Sequence, residues 1–398
     1  MQVPATEDLT PISVGFVGSE QDWVIIQGAF GPQSAGRLVA TVIETDQQTN
    51  REHGVEQAAA IAPRSLRSFD ELASDPQIHA VILGGSQTDR AGRIKQLTLV
   101  GRHCLCLQPV ELNPLYYHEV AMAAQDNGTT IMPWLPAKLH PLCRSMIEQC
   151  LPRLGSLKLI TIERSGTFPT GRQLFGTTYA EACDVLWMIA GDTTELFSTG
   201  DVDLGRLVVH HRMSSGATGE IRIGRSEGDR WMIVVQGDHG VAELACHNGI
   251  AGPAVLKHTS PNESGTVECP DPSLADRMLN QFAAAVHGRP HSIGWSDAIR
   301  CMELADWAWY SLQRRRAVDI FREERGELAS FKGRMTSIGC GLIWTTLLVL
   351  IVIAAGTGLE VPGMNYLAVA MVVIWVLFLL FQALRWAIPP NNRLDHKS

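Results

Sequence analysis

The sequence predicts an α/β chain in two halves: a parallel sheet, then an α+β half with an open, largely antiparallel sheet. Two transmembrane helices are predicted to follow. Three observations lead to this fold class. Between Pro11 and Pro133 short apolar strands alternate with helical stretches. From Leu157 onward consecutive strands alternate apolar with polar residues. Beyond Met335 two long uncharged runs stand close together. Short buried strands separated by helices argue for a parallel sheet covered on both faces, whereas strict alternation argues for a sheet with one wet face.

The first half opens on Val14-Gly15-Phe16-Val17-Gly18-Ser19-Glu20-Gln21-Asp22-Trp23. An apolar strand running into a glycine is how a dinucleotide-binding turn begins, and that turn continues G-x-G-x-x-G. Counting from Gly18, Glu20 and Trp23 stand where the other two glycines would be. A carboxylate at the middle position is unfavourable beside phosphates, and an indole is too large for close helix–strand packing. Ser19 and Asp22 have capping-box spacing, so the helix can occupy its own free N–H groups. Arg37–Ile43 is the second strand and ends at Glu44 and Asp46. Either acid can hold a ribose, or simply mark a solvated strand end. Ser68-Phe-Asp-Glu starts a helix with a capping-box pattern. Ala80–Leu83, Cys104–Leu107 and Thr130–Met132 complete the strands. The candidate cofactor contacts along this stretch are Gly15, Gly18, Ser19 and Glu44.

In the second half, strands are read at 157–163, 206–212, 219–224, 230–236 and 240–246, with helices near 180–190, 273–287 and 296–315. Glu181 and Asp184 lie three apart on the first of these helices and share a face. Two such carboxylates can divide acid and base roles if burial separates their pKa values. The plainer reading is a polar helix start facing the positive end of the helix dipole.

The net charge of −8 over 398 residues argues against nucleic-acid binding, which needs clustered Lys and Arg. Nine scattered cysteines suit a reducing compartment. Cys104-x-Cys106 reads as a buried strand, and His210 and His211 point to opposite faces of theirs, so no metal site is expected. The N-terminal MQVPATEDLTP lacks the apolar core of a signal peptide.

Residues 335–359 and 361–384 carry no charged side chain, and each run is long enough for a spanning helix. Arg314, Arg315, Arg316, Arg322, Arg325, Lys332 and Arg334 precede them; Arg385, Arg393 and Lys397 follow. The positive-inside rule then places both termini in the cytoplasm. The expectation is a multi-pass membrane protein whose hairpin has the lipid bilayer as partner. The division read from the sequence is 11–135, 136–322, a basic linker at 323–334, the hairpin at 335–386 and a tail at 387–398.

Four stretches in order resemble the glucose–fructose oxidoreductase and inositol dehydrogenase (Gfo/Idh/MocA) family. They are SFDELASDPQIHAVIL at 68–83, GRHCLCLQPV at 101–110 beside the family's G-K-H-V-x-C-E-K-P-L, LADRMLNQFAAAVHGRP at 274–290, and the terminal helix and strand at 296–320. The resemblance implies a Rossmann-type first half, NAD or NADP as cofactor, a sugar or polyol ligand, and homo-oligomers formed through the open sheet. Residue by residue it is incomplete. Gln108 stands for the lysine of E-K-P and cannot supply a positive charge. Glu181 stands for the histidine of the family's H-x-x-D, whose aspartate is kept as Asp184. Gly84-Gly85-Ser86 replaces the Thr-Pro that the family places beside its cofactor, so the resemblance makes Gly84 and Gly85 further candidate cofactor contacts, and Lys138 replaces the arginine of R-F-x-P. Gln108, Glu181 and Asp184 are the candidate catalytic positions. These departures lead to the expectation of a membrane-anchored, divergent or inactive binding or scaffold member. The alternative is an active NAD(P)-dependent oxidoreductase with a non-standard catalytic set.

Overall fold

Strand β1 (Ile12–Gly18) is apolar almost throughout because both its faces are covered; Val14, Phe16 and Val17 are fully buried. It forms parallel ladders with β2 (Gly36–Ile43) on one side and β4 (Ala80–Leu83) on the other. The computed structural model describes residues 10–31, 34–44, 63–85, 87–107, 112–261 and 263–320. With β3 (Arg64–Ser65), β5 (His103–Cys106) and β6 (Ile131–Pro133) the strands form one parallel sheet in the order β3-β2-β1-β4-β5-β6. This is the doubly wound order, with its switch point between β1 and β4.

Helices α1 (Glu20–Ile26), α2 (Phe69–Ser74), α3 (Gln87–Leu99) and α4 (Pro114–Asp126) make the crossovers. Each visible start has a local cause. Ser19 caps α1 and Asn113 caps α4, which has proline in its first turn. At α2, Ser68 accepts from the Glu71 N–H, but the Glu71 carboxylate accepts from the Arg67 N–H, so the expected box is only half made.

A broken helix follows: α5 (Pro141–Ser145), a π turn at Met146–Cys150, and α6 (Leu151–Leu154). The second sheet then begins with β7 (Leu157–Gly166), followed by α7 (Ala180–Ala190). Its other strands are β8 (Thr193–Asp201), β9 (Arg206–Met213), β10 (Thr218–Arg225), β11 (Arg230–Gly237), β12 (Gly240–His247), β13 (Ala254–Ser260) and β14 (Glu263–Cys269). After helices α8 (Leu274–Val286) and α9 (Trp295–Arg314), β15 (Val318–Asp319) closes one edge. The order is β14-β13-β12-β11-β7-β10-β9-β8-β15, antiparallel except for the β7–β10 pair. Alternation along β9 buries Leu207, Val209, His211 and Met213 and exposes Arg206, His210 and Arg212. That is the period-2 pattern of a sheet with one wet face.

The last two helices tie the halves together. Met278, Leu279 and Phe282 of α8 return to the first half and are buried in one cluster with Val14 and Phe16. Trp295 of α9 donates its indole N–H to the Tyr117 carbonyl at 2.9 Å and stacks on that ring.

The membrane part of the expected architecture requires correction. Among the described residues, no helix is long and apolar enough to cross a membrane. The longest, α9, spans 20 residues but carries Asp297, Arg300, Glu303, Asp306 and Arg314, charges that hydrocarbon does not tolerate. The hairpin expected at 335–386 lies outside the described residues. Among the described residues the structure supports the two-sheet fold and holds no transmembrane helix, so it gives the expected membrane anchoring, bilayer partner and multi-pass location no support.

Candidate functional site

In open parallel sheets, ligands bind in the crevice beyond the carboxyl ends of the strands, at the switch point. Here that crevice lies between the turn after β1 and the turn after β4. Asp22 bridges the two. Its Oδ2 accepts from the Ser19 N–H at 2.9 Å, the Ser19 hydroxyl at 2.8 Å and, across the crevice, the Gly85 N–H at 2.9 Å. Ser19 Oγ in turn accepts from the Asp22 N–H at 3.2 Å, which completes the capping box. A Cβ on Gly84 would stand 2.7 Å from the Asp22 carboxyl carbon, so bare backbone is required there.

The side chain that engages the backbone of this turn is therefore Asp22, and not the residues at the positions of the missing glycines. Glu20 is exposed. Trp23 is buried in the core against Phe16 and Phe30. The indole fills the gap between helix and strand that a glycine would have closed.

Glu44 lies at the end of β2, its N–H donating to the Gly18 carbonyl at 2.9 Å. Its carboxylate is paired with Arg93 of α3 at 2.5 Å, and a Cβ on Gly85 (φ +77°) would strike Glu44 Oε2. Gly15 is placed differently. It sits inside β1 facing Leu72 and Ile78, a packing position away from the crevice.

Arg90 of α3 is a part of the site that sequence reasoning missed. Although buried, it donates to the carbonyls of Gly84, Gly85 and Leu107, including 2.5 Å to Gly85 and 2.8 Å to Leu107. It pins the turn after β4 to the end of β5. A lone arginine within a helix carries no signal of that role. Gln108 lies outside the described residues.

The two helix carboxylates separate in space. Glu181 is half exposed and its Oε2 meets Arg164 Nη1 of β7 at 2.8 Å. Arg164 is buried, stacks over Trp231 with its Cζ 3.9 Å from the ring centroid, and lies 5.1 Å from that of Phe168. Its Nη2 reaches Asp229 at 3.5 Å. Arg164 Nε and the Trp231 indole nitrogen are buried without a hydrogen-bond partner among the described residues.

Asp184, one turn further, is 2% exposed and points into a different cluster. Lys138 Nζ lies 3.4 Å from Asp184 Oδ1 and 2.9 Å from Asp297 Oδ2. The Trp187 ring is flanked by Lys138 and Arg300. Burial pushes the Asp184 carboxyl up to about 6, with Lys138 opposing and Asp297 adding to the rise. Lys138 thus acts as a buried clamp between the segment after β6, α7 and the start of α9.

His210 and His211 do diverge: His210 is exposed, while His211 is buried between the Tyr179 hydroxyl and the Thr193 hydroxyl, each 3.2 Å away. Burial holds its imidazole down at about 3, so it is neutral.

No family model matches the chain. It is 22% identical over 185 residues to trans-1,2-dihydrobenzene-1,2-diol dehydrogenase of Oryctolagus cuniculus. That match covers 45% of this chain and half the length of that protein. Its fold is similar to aldose–aldose oxidoreductase from Caulobacter crescentus complexed with glycerol, with a TM-score of 0.66 and 14% identity over 78% of this chain and 100% of that one. It is also similar to an oxidoreductase from Agrobacterium radiobacter in complex with NAD+, L-tartaric acid and magnesium, with a TM-score of 0.64 and 12% identity over 78% of this chain and 98% of that one. At such identities the likeness shows the fold alone, one shared with solved oxidoreductases, some of which are in complex with NAD+ or NADP+.

Proposed function

We propose that this chain is an NAD(P)-dependent oxidoreductase acting on a sugar or polyol through a non-standard catalytic set. The observation that carries this reading is the β3-β2-β1-β4-β5-β6 order, which places the switch point between two glycine turns, at Gly18 and at Gly84–Gly85. It replaces the inactive membrane scaffold as the working description. The backbone of Gly18, Ser19, Gly84 and Gly85 would hold the phosphates, and Glu44 the adenosine ribose. Asp22 must yield its N–H partners for that to happen. When bound, the nicotinamide supplies the hydride acceptor or donor.

The chain's own residues provide the rest. Glu181 stands where the family places its base, half exposed, and takes the substrate hydroxyl proton on its carboxylate. Arg164, held by Trp231 and Phe168, orients that carboxylate. Gln108 orients a second hydroxyl by hydrogen bonding. Asp184 is too deeply buried to meet substrate and supports the helix through Lys138.

The test uses the full chain. NADH and NADPH are titrated by fluorescence, and a panel of sugars and polyols is then assayed for cofactor reduction. Glu181→Gln is expected to lower turnover by roughly 100-fold or more. Unchanged turnover would remove Glu181 from the mechanism, and dinucleotide binding weaker than millimolar would defeat the cofactor reading.

A further inference from the structure

Asp22 occupies the crevice as an internal ligand. One carboxylate oxygen takes N–H groups from both sides of the switch point, Ser19 after β1 and Gly85 after β4. A carboxylate and a phosphate oxygen make the same demand on such donors, since both accept short charge-assisted bonds from backbone N–H. They cannot use one pair of donors together, and two negative charges at one point repel. We infer that Asp22 sets nucleotide affinity in this chain as a built-in competitor of the dinucleotide pyrophosphate. This rests on the dinucleotide reading of the crevice.

Three features make Asp22 a competitor that resists displacement. It is fixed by a third bond, from the Ser19 hydroxyl at 2.8 Å. The Gly85 segment it holds is also held from the far side by Arg90. Glu44, which would meet the ribose, is engaged by Arg93 at 2.5 Å and packs against the same glycine. The carboxylates of Asp22 and Glu44 and the guanidiniums of Arg90 and Arg93, four groups in all, therefore gather around Gly85. A dinucleotide that enters exchanges the Asp22 bonds for its own and gains only the difference. The inference predicts weak binding by the wild-type chain and tight binding once the competitor is removed.

The experiment measures NADPH dissociation constants for the full-length wild type, Asp22→Ala, Asp22→Asn and Glu20→Gln. Glu20 carries the same charge on the same turn but is exposed, so its variant reports the general electrostatic effect. Asp22→Ala is expected to bind at least roughly tenfold more tightly than wild type, with Asp22→Asn between them and Glu20→Gln within about threefold. Amide exchange provides a second readout: Gly85 is expected to exchange faster in Asp22→Ala and to regain protection on adding NADPH. Should Asp22→Ala fail to fold, Asp22→Asn carries the comparison. Binding that appears only in the Asp22 variants would support the inference and refute cofactor use by the wild type. Wild-type binding that the Asp22 variants leave unchanged or weaken would overturn the inference while the cofactor reading stands. Absence of binding in all four would overturn both.

Discussion

The Asp22 carboxylate and the Gly85 N–H meet at 2.9 Å across the switch point of the parallel sheet, 63 residues apart in the chain. This contact joins the turn after β1 to the turn after β4 at the place where a Rossmann-type sheet normally stays open. It also explains the glycine beside it, because any Cβ on Gly84 would meet the Asp22 side chain at 2.7 Å.

Gly84→Ala is therefore expected to destabilise the chain by about 1–3 kcal/mol through overpacking. In an Asp22→Ala background most of that cost should vanish, since the atom it strikes is gone. A double-mutant cycle by urea denaturation reads the coupling directly. A cost independent of Asp22 would mean that the backbone, not the carboxylate, forbids a side chain there.

Lys138 is the cation between two buried acids. Lys138→Met leaves Asp184 and Asp297 facing each other without it, and should cost about 3–5 kcal/mol at pH 8. The loss should shrink toward pH 5, where Asp184, pushed up to about 6, takes a proton. Urea curves at the two values check this. A small loss without pH dependence would show that Arg300 suffices for both acids.

Asp184 itself should impose a pH dependence of definite sign. Its folded pKa is raised from 3.8 to about 6, so the folded chain holds that proton more tightly than the unfolded chain. The contribution is full below the unfolded value and is lost as pH rises through the folded one. The stability of wild type relative to Asp184→Asn should fall between about pH 4 and pH 6 and level off above about pH 7. A flat difference would place the titration elsewhere.

The two buried histidines should act in the opposite direction. His140, which caps α5 by accepting from the Leu142 and Cys143 N–H groups, is pushed from 6.5 down to about 4; His211 is pushed from 6.5 down to about 3. Each contributes stability above its unfolded value that is lost as pH falls through the folded one. His211→Gln, which keeps a hydrogen-bonding side chain, should lower the melting temperature at neutral pH yet flatten its decline on acidification. An unchanged slope below about pH 6 would assign the acid sensitivity to other groups.

Much of this was legible in the sequence for a simple reason. Strand β1 is apolar because both faces are covered, and β9 alternates because one face is wet, so local pattern reports burial directly. Ser19 and Asp22 announced their capping box by spacing alone. The division of Glu181 from Asp184 was not legible, because a shared helix face says nothing about which neighbours each side chain meets. Helix α8 was visible as a helix but not as a cover for the first half, since its apolar stripe does not name its partner. The uncharged runs beyond residue 335 carried the membrane reading by composition alone, and the described helices do not support it.

By itself, then, the sequence determined the two sheets, their order in the chain, the cap at Ser19 and the loss of the ordinary glycines. Those are consequences of local periodicity and short-range hydrogen bonding. Only the tertiary structure decided that Asp22 rather than Glu20 bridges the turns after β1 and β4, that Arg90 braces the turn after β4, and that Lys138 joins Asp184 to Asp297. Each of these depends on contacts between segments distant in sequence, whose meeting is set by the packing of the whole fold and not by any local pattern.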